Sequence, residues 1–255
     1  GPYKIENDVL VLTEKTFGNA LREYKYITVL FYDPECPHCK EFMPRYHKIA
    51  SQLKEENFVF AKLDCIKNEK IETIYEIEAY PTLMLIKGEE KIIFSSQRNY
   101  EEIKKWLEEN TKPEFIKLKI KKELDNFTIN RLCMVYFGND ESTKNEFIKA
   151  ERKFETMPLG IVTDEELIKS EAPKDEKDPN KEYKDFINIY KTFGDGILAC
   201  TEQISDLESE LERNITRFLL ELGVGFAFVG RQKEIIVAGK TRRIDMLFYH
   251  IHLHN

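Results

Sequence analysis

The chain has 255 residues, 42% of them hydrophobic and 33% charged, with a formal net charge of −7. That length allows two domains of ordinary size, each with its own core. The negative balance argues against a general nucleic-acid binder, which presents a basic surface, and no apolar run approaches the roughly 20 residues that cross a bilayer.

Gly1-Pro2 reads as the pair left by protease removal of a tag, so the natural N-terminus and any signal peptide are expected to lie upstream. From there strands and helices alternate. Val9 to Leu12 reads as a short strand, and Thr13 opens a helix through Phe17 and Leu21. Tyr26 to Tyr32 is an apolar run of buried-strand type, and Lys40 to Leu53 has helical spacing at Phe42, Met43, Tyr46, Ile49, Ala50 and Leu53. A strand from Phe58 to Asp64, a helix near Ile71 to Ile77 and a Tyr80-Pro81-Thr82 turn follow. Leu83 to Lys87 and Lys91 to Ser95 read as a hairpin around Gly88, and Tyr100 to Glu109 as an amphipathic helix with Ile103, Trp106 and Leu107 on one face. This order implies a mixed sheet covered on both sides.

Thr111-Lys112-Pro113 marks a boundary, after which a similar pattern resumes. Strands are expected at Ile116 to Ile120, Leu132 to Phe137 and Leu159 to Val162, with helices at Ser142 to Phe154 and Asp164 to Lys169. Lys117 to Lys122 reads as a solvated basic edge. Ala172 to Glu182 is a charged surface loop; Ile187 to Phe193 and Ile197 to Cys200 read as strands about an Asp195-Gly196 turn. From about Leu207 a helix ends at Gly223 and Gly225, and Phe226 to Val229, Glu234 to Val237 and Ile244 to His250 read as short strands. This last segment is too short to close a core alone. It is either a separate piece or an extension of the unit before it.

Chemistry concentrates at Cys36-Pro37-His38-Cys39. Two thiols three apart at the start of a helix suit dithiol/disulfide exchange, whereas zinc would need a second ligand pair that does not follow. Unpaired backbone N–H groups and the helix dipole stabilise a thiolate at Cys36, making it the expected nucleophile. Cys39, one turn deeper, is placed to resolve a mixed disulfide. His38 can favour the thiolate, and Pro37 fixes the turn. Of the five cysteines, Cys65, Cys133 and Cys200 are expected to be small buried hydrophobes. His47 is expected on a helix surface, and the alternating His250, His252 and His254 on a polar strand face. Two sequons, at Asn126 and Asn214, are compatible with a secretory compartment.

Residues 9 to 111 resemble a catalytic domain of the protein disulfide isomerase family, within the thioredoxin fold. The resemblance rests on VLFYDPECPHCKEFMPRY (Val29 to Tyr46), the Lys62-Leu63-Asp64 strand end, Tyr80-Pro81-Thr82, and Arg98 followed by a helix with Trp106. It implies a cis Pro81 beside the dithiol, with Tyr80 and Pro37 helping to bind a substrate strand, and an Arg98 that approaches the resolving cysteine. Pro44 matches the proline of the active-site helix. The Pro-His dipeptide, in place of the usual Gly-His, is that of strongly oxidising bacterial periplasmic dithiol oxidases and implies an oxidase or isomerase. Two departures count against fast turnover. Leu30 stands where the family carries a buried Glu that accepts the second cysteine's proton, and Glu35, in place of Trp, sets a negative charge beside Cys36.

Residues 113 to about 206 resemble the redox-inactive thioredoxin-like domain that follows the catalytic one. Residues 211 to 250, with FLLELGVGFAFVGRQ and IDMLFYH, resemble part of the YhcG-like PD-(D/E)XK nucleases. Asp245 matches their metal-binding Asp, but no later Glu-x-Lys follows, so an incomplete and inactive nuclease is expected.

The expectation is thus an α/β protein of two tandem thioredoxin-like domains, 1–112 and 113–206, with a short α+β segment at 207–255. Its dithiol, Cys36 and Cys39, aided by His38 and Arg98, is expected to form or rearrange disulfides in cysteine-containing or unfolded polypeptides of the endoplasmic reticulum lumen. The alternative is a redox-weak client- or partner-binding module. No metal, cofactor or nucleic acid is expected.

Overall fold

The structure, a computed structural model, describes residues 3–129, 132–153, 157–173, 185–191, 226–237 and 240–250. The chain forms two compact units, Gly1–Lys112 and Pro113–Asn255. Among the described residues no helix is long and apolar enough to cross a membrane.

The first unit runs β1 (Lys4–Glu6), β2 (Val9–Leu12), α1 (Glu14–Glu23), β3 (Ile27–Tyr32), α2 (Pro37–Leu53), β4 (Phe60–Asp64), α3 (Glu69–Ile74), β5 (Thr82–Lys87), β6 (Glu90–Ile93) and α4 (Tyr100–Asn110). Its sheet has the order β1-β2-β4-β3-β5-β6, with β2, β4 and β3 parallel and β1, β5 and β6 antiparallel to their neighbours. Alternation along β3 divides the core. Leu30 joins Phe42, Tyr46, Ile49 and Leu53 of α2 and Ile103 and Leu107 of α4, while Ile27, Val29 and Phe31 join Phe17 and Ala20 of α1. The α/β class and the thioredoxin fold expected from the sequence are those observed.

β1 is an element the sequence pattern did not reveal. It is short, and Lys4 and Ile5 are exposed, so it has no alternation to read. It pairs with β2 through a two-residue turn whose residues, Asn7 and Asp8, both take positive φ (49° and 63°). Side chains latch this turn to α2 and its end. Asp8 accepts from Ser51 Oγ at 2.7 Å and pairs with Lys54 at 2.8 Å, and the Asn7 amide meets His47 Nδ1 at 3.3 Å. Lys62 of β4, only 5% exposed, donates to Glu6 Oε2 at 2.6 Å and meets His47 Nε2 at 3.2 Å. The expected surface histidine is therefore half-buried and bonded, because the hairpin turn folds over it.

This cluster has a pH signature. An ammonium can only donate, so His47 Nε2 must keep its lone pair toward Lys62, and the ring must be neutral. Burial, and then Lys62, hold the His47 pKa below its ordinary value. The unfolded chain therefore binds this proton at a higher pH than the fold does. The contribution is complete above the unfolded value and is lost as pH falls from about 6.5 through the lower folded value. The urea midpoint should drop over that interval, and His47→Gln should flatten the drop. Glu6 acts in a separate, more acidic window, since Lys4 and Lys62 hold it down at about 2.

The second unit contains β7 (Phe115–Lys117), α5 (Lys121–Thr128), β8 (Leu132–Phe137), α6 (Glu141–Glu151), β9 (Leu159–Val162), α7 (Glu165–Glu171), β10 (Phe186–Lys191), β11 (Phe226–Val237) and β12 (Lys240–His250). Its sheet order is β11-β12-β10-β8-β9-β7, and β7-β9-β8-β10 repeats the directions of β2-β4-β3-β5. Three expectations need correction. The strand expected at Ile116 to Ile120 is only Phe115–Lys117. The basic edge is not a strand edge throughout, since Lys121 and Lys122 open α5, whose Leu124 and Phe127 are buried. The two short strands at 226–229 and 234–237 are one, because β12 pairs along all of β11 with an irregularity between Phe228 and Gly230. β12 pairs with β10, so this hairpin extends the second sheet. The expectations for most of the charged loop, for the Asp195-Gly196 turn with its partner strand, for the helix from Leu207, and for Cys200, Asn214, His252 and His254 fall outside the described residues.

Candidate active site

The site is assembled where β3 ends and α2 begins. Asp33 shapes the connection, its Oδ1 accepting from the Glu35 N–H at 2.7 Å and its carbonyl from the Cys36 N–H at 3.2 Å. Cys36 is the N-cap of α2, extended at φ −66° and ψ 123°, and its carbonyl takes the Lys40 N–H at 3.0 Å. Pro37 occupies the first helical position, where a missing N–H removes no intrahelical bond. The helix runs on through Pro44 to Leu53.

The two thiols differ in environment. Cys36 is half-exposed and Cys39 is 1% exposed; both are free thiols. The Cys39 backbone N–H, assisted by the Cys39 thiol and the His38 backbone N–H, holds the Cys36 pKa below its ordinary value. Partial burial and the Asp33 carboxylate oppose this. Burial pushes Cys39 up to about 11, with Cys36 and Asp33 adding to the rise and the Asp33 backbone opposing it. Of the two thiols, Cys36 is thus the more easily ionised, and Cys39 the one that keeps its proton more firmly.

His38 is exposed, and its backbone N–H is one of the groups that lower the Cys36 pKa. The carboxylate that opposes the thiolate is Asp33. Glu35, expected in that role, is exposed and pairs with Lys40 at 2.9 Å. Leu30 is fully buried, in register with Lys62 on one side and Leu83 on the other, so that position carries no proton acceptor.

The loop between α3 and β5 faces the dithiol. Tyr80–Pro81 is a cis peptide, and Cys36 Sγ donates to the Tyr80 carbonyl at 3.8 Å. Arg98 Nη2 donates to the Pro81 carbonyl at 3.2 Å while its guanidinium lies 5.8 Å from the Phe42 ring centroid, so Arg98 braces the proline loop against α2. The structure brings Cys36, Pro37, Cys39, Tyr80, Pro81 and Arg98 to one end of the sheet. Asp33 and Glu72 belong with them. An Asp three residues before a nucleophile is a readable local signal; Glu72, joined to Tyr80 through its side chain, had none.

Two family models match the chain. Residues 8–109 match the Thioredoxin family model. They carry the thioredoxin fold. Residues 191–255 match the YhcG PDDEXK nuclease domain. Protein disulfide-isomerases are homologues of the chain. The Aspergillus oryzae enzyme is 27% identical over 172 residues, 66% of this chain and 33% of that one, an alignment longer than the thioredoxin domain. Protein disulfide-isomerase A4 of Bos taurus is 33% identical over 112 residues, 43% of this chain and 17% of that one. The chain therefore spans a third or less of the length of these relatives. The solution structure of the first thioredoxin domain of mouse Protein disulfide-isomerase A4 is 32% identical, covering 45% of this chain and 83% of that one at a TM-score of 0.42.

Proposed function

We propose that this chain is a thiol–disulfide oxidoreductase that forms or rearranges disulfides in cysteine-containing polypeptides through Cys36 and Cys39, in the lumen of the endoplasmic reticulum. The observation that carries this reading is a helix-terminal dithiol whose exposed member is held low and whose buried member is held high. Kinship with protein disulfide-isomerases supports the client class and the compartment.

In the oxidising direction a client thiolate attacks Cys36 of the Cys36–Cys39 disulfide. A client–Cys36 bond forms, and Cys39 leaves as a thiolate and takes a proton. A second client thiolate then attacks the client sulfur of the mixed disulfide and releases the Cys36 thiolate. Two client thiols lose two electrons and two protons, and the protein dithiol gains them. In rearrangement the Cys36 thiolate attacks a client disulfide instead, and the freed client thiolate re-enters at another sulfur. Stabilising the Cys36 thiolate favours the reduced protein and so makes its disulfide the stronger oxidant.

The test compares insulin reduction and refolding of scrambled ribonuclease by the parent and Cys36→Ala. The variant should lose at least about 100-fold in both, the scale of a missing nucleophile. Equal activity in the two proteins would sink the proposal. The second reading, a client-binding module with weak redox turnover, is favoured by the buried Leu30; client binding that survives loss of both cysteines would support it.

A further inference from the structure

The loop that carries Tyr80 and Pro81 is tied down on both sides of the peptide bond between them. On one side Tyr80 Oη donates to Glu72 Oε1 of α3. Thr82 Oγ1 donates to the Ala79 carbonyl at 2.6 Å. On the other side Arg98 holds the Pro81 carbonyl. Between these ties the Tyr80 carbonyl faces Cys36 Sγ at 3.8 Å.

That carbonyl acts on Cys36 in the opposite sense to the helix end. A carbonyl oxygen accepts from an S–H but has nothing to donate to a thiolate, and it turns the negative end of its dipole toward the sulfur. The Cys39 and His38 N–H groups do the reverse. Among the groups around the Cys36 sulfur are therefore two opposing backbone contributions, one fixed by α2 and the other dependent on where the loop is held. Glu72 and Tyr80 are both partly buried, so their charge-assisted bond is less screened than a surface pair. The neighbouring Cys65 thiol is pushed up to about 12 by burial and is itself unreactive.

We propose that Glu72 and Tyr80 are positioning residues for Cys36: the hydrogen bond between their side chains holds the Tyr80 carbonyl against the thiol and restrains its conversion to thiolate. This rests on the reading of Cys36 as the nucleophile. The arrangement gives the nucleophile a tether 36 positions along the chain, through an element that does not contain the dithiol.

The experiment follows iodoacetamide alkylation of Cys36 against pH, located by mass spectrometry, in the full chain and in Tyr80→Phe, Glu72→Ala, Glu72→Gln and the Tyr80→Phe/Glu72→Ala pair. Tyr80→Phe and Glu72→Ala should each move the profile to lower pH and speed alkylation below the midpoint by about 3- to 10-fold, up to one unit of the profile. The pair should go no further than either single change, because both break one bond. Glu72→Gln keeps an acceptor and should remain near the parent. An unshifted profile in folded Tyr80→Phe, additive shifts in the pair, or a Glu72→Gln profile matching Glu72→Ala would each overturn the proposal. If Tyr80→Phe does not fold, the two Glu72 variants carry the comparison. Alkylation needs no client, so insulin reduction in the same samples separates failure of this inference from failure of the proposed function.

Discussion

Cys39→Ser is expected to convert the protein into a trap. Cys36 keeps the backbone N–H groups that lower its pKa, so it still attacks a client disulfide. The mixed disulfide then has no internal thiol to release it, and release must wait for an external one. Losing an intramolecular attack should lower insulin-reduction turnover by at least about 100-fold. Mixed disulfides with clients should accumulate and run as adducts on non-reducing gels, and Cys36 alkylation should stay within a few-fold of the parent. Because Cys39 is 1% exposed, a buried serine hydroxyl costs about 1–3 kcal/mol, so circular dichroism must show that the fold persists. Absence of adducts from a folded Cys39→Ser protein would mean that Cys36 does not form the covalent intermediate.

Leu30→Glu is the second large effect, and it acts in two directions. Leu30 is fully buried beside Phe42 and Tyr46, so a carboxylate there loses apolar packing and must be desolvated. The expected destabilisation is about 2–4 kcal/mol, reduced to the extent that Lys62, its partner in register on β4, turns toward it. In exchange the buried Cys39, held up at about 11, gains a proton acceptor on its own face of the sheet. Release of mixed disulfides should speed up by about 10- to 100-fold, at the lower end of general-base assistance. Leu30→Gln separates the two effects, since it should show the stability loss without the rate gain. Single-turnover release kinetics and urea midpoints read both. A Leu30→Glu protein that is destabilised but no faster would mean that proton removal from Cys39 does not limit release.

Strands and helices with a clean period are legible in the sequence. Val9–Leu12, Leu132–Phe137 and Leu159–Val162 occur with the boundaries read from their apolar runs. Elements without a period were not. β1 is exposed, α5 hides Leu124 and Phe127 inside a charge run, and the polar centre of β11 resembles a turn unless a partner strand is known. The site divides in the same way. Cys36, Pro37 and Cys39 were readable because a dithiol at a helix start needs four adjacent residues. The Tyr80–Glu72 anchor and the Lys62–Glu6–His47 cluster join residues from different elements.

Chain chemistry alone therefore established a thiol pair, its place at the start of a helix after a buried strand, and the α/β alternation around it, all of which depend on near neighbours. What Arg98 braces, how His47 became half-buried and which carbonyl faces Cys36 were settled by folding. Those contacts act through space over a few ångströms between groups up to 56 positions apart in the chain, and local spacing carries no record of them.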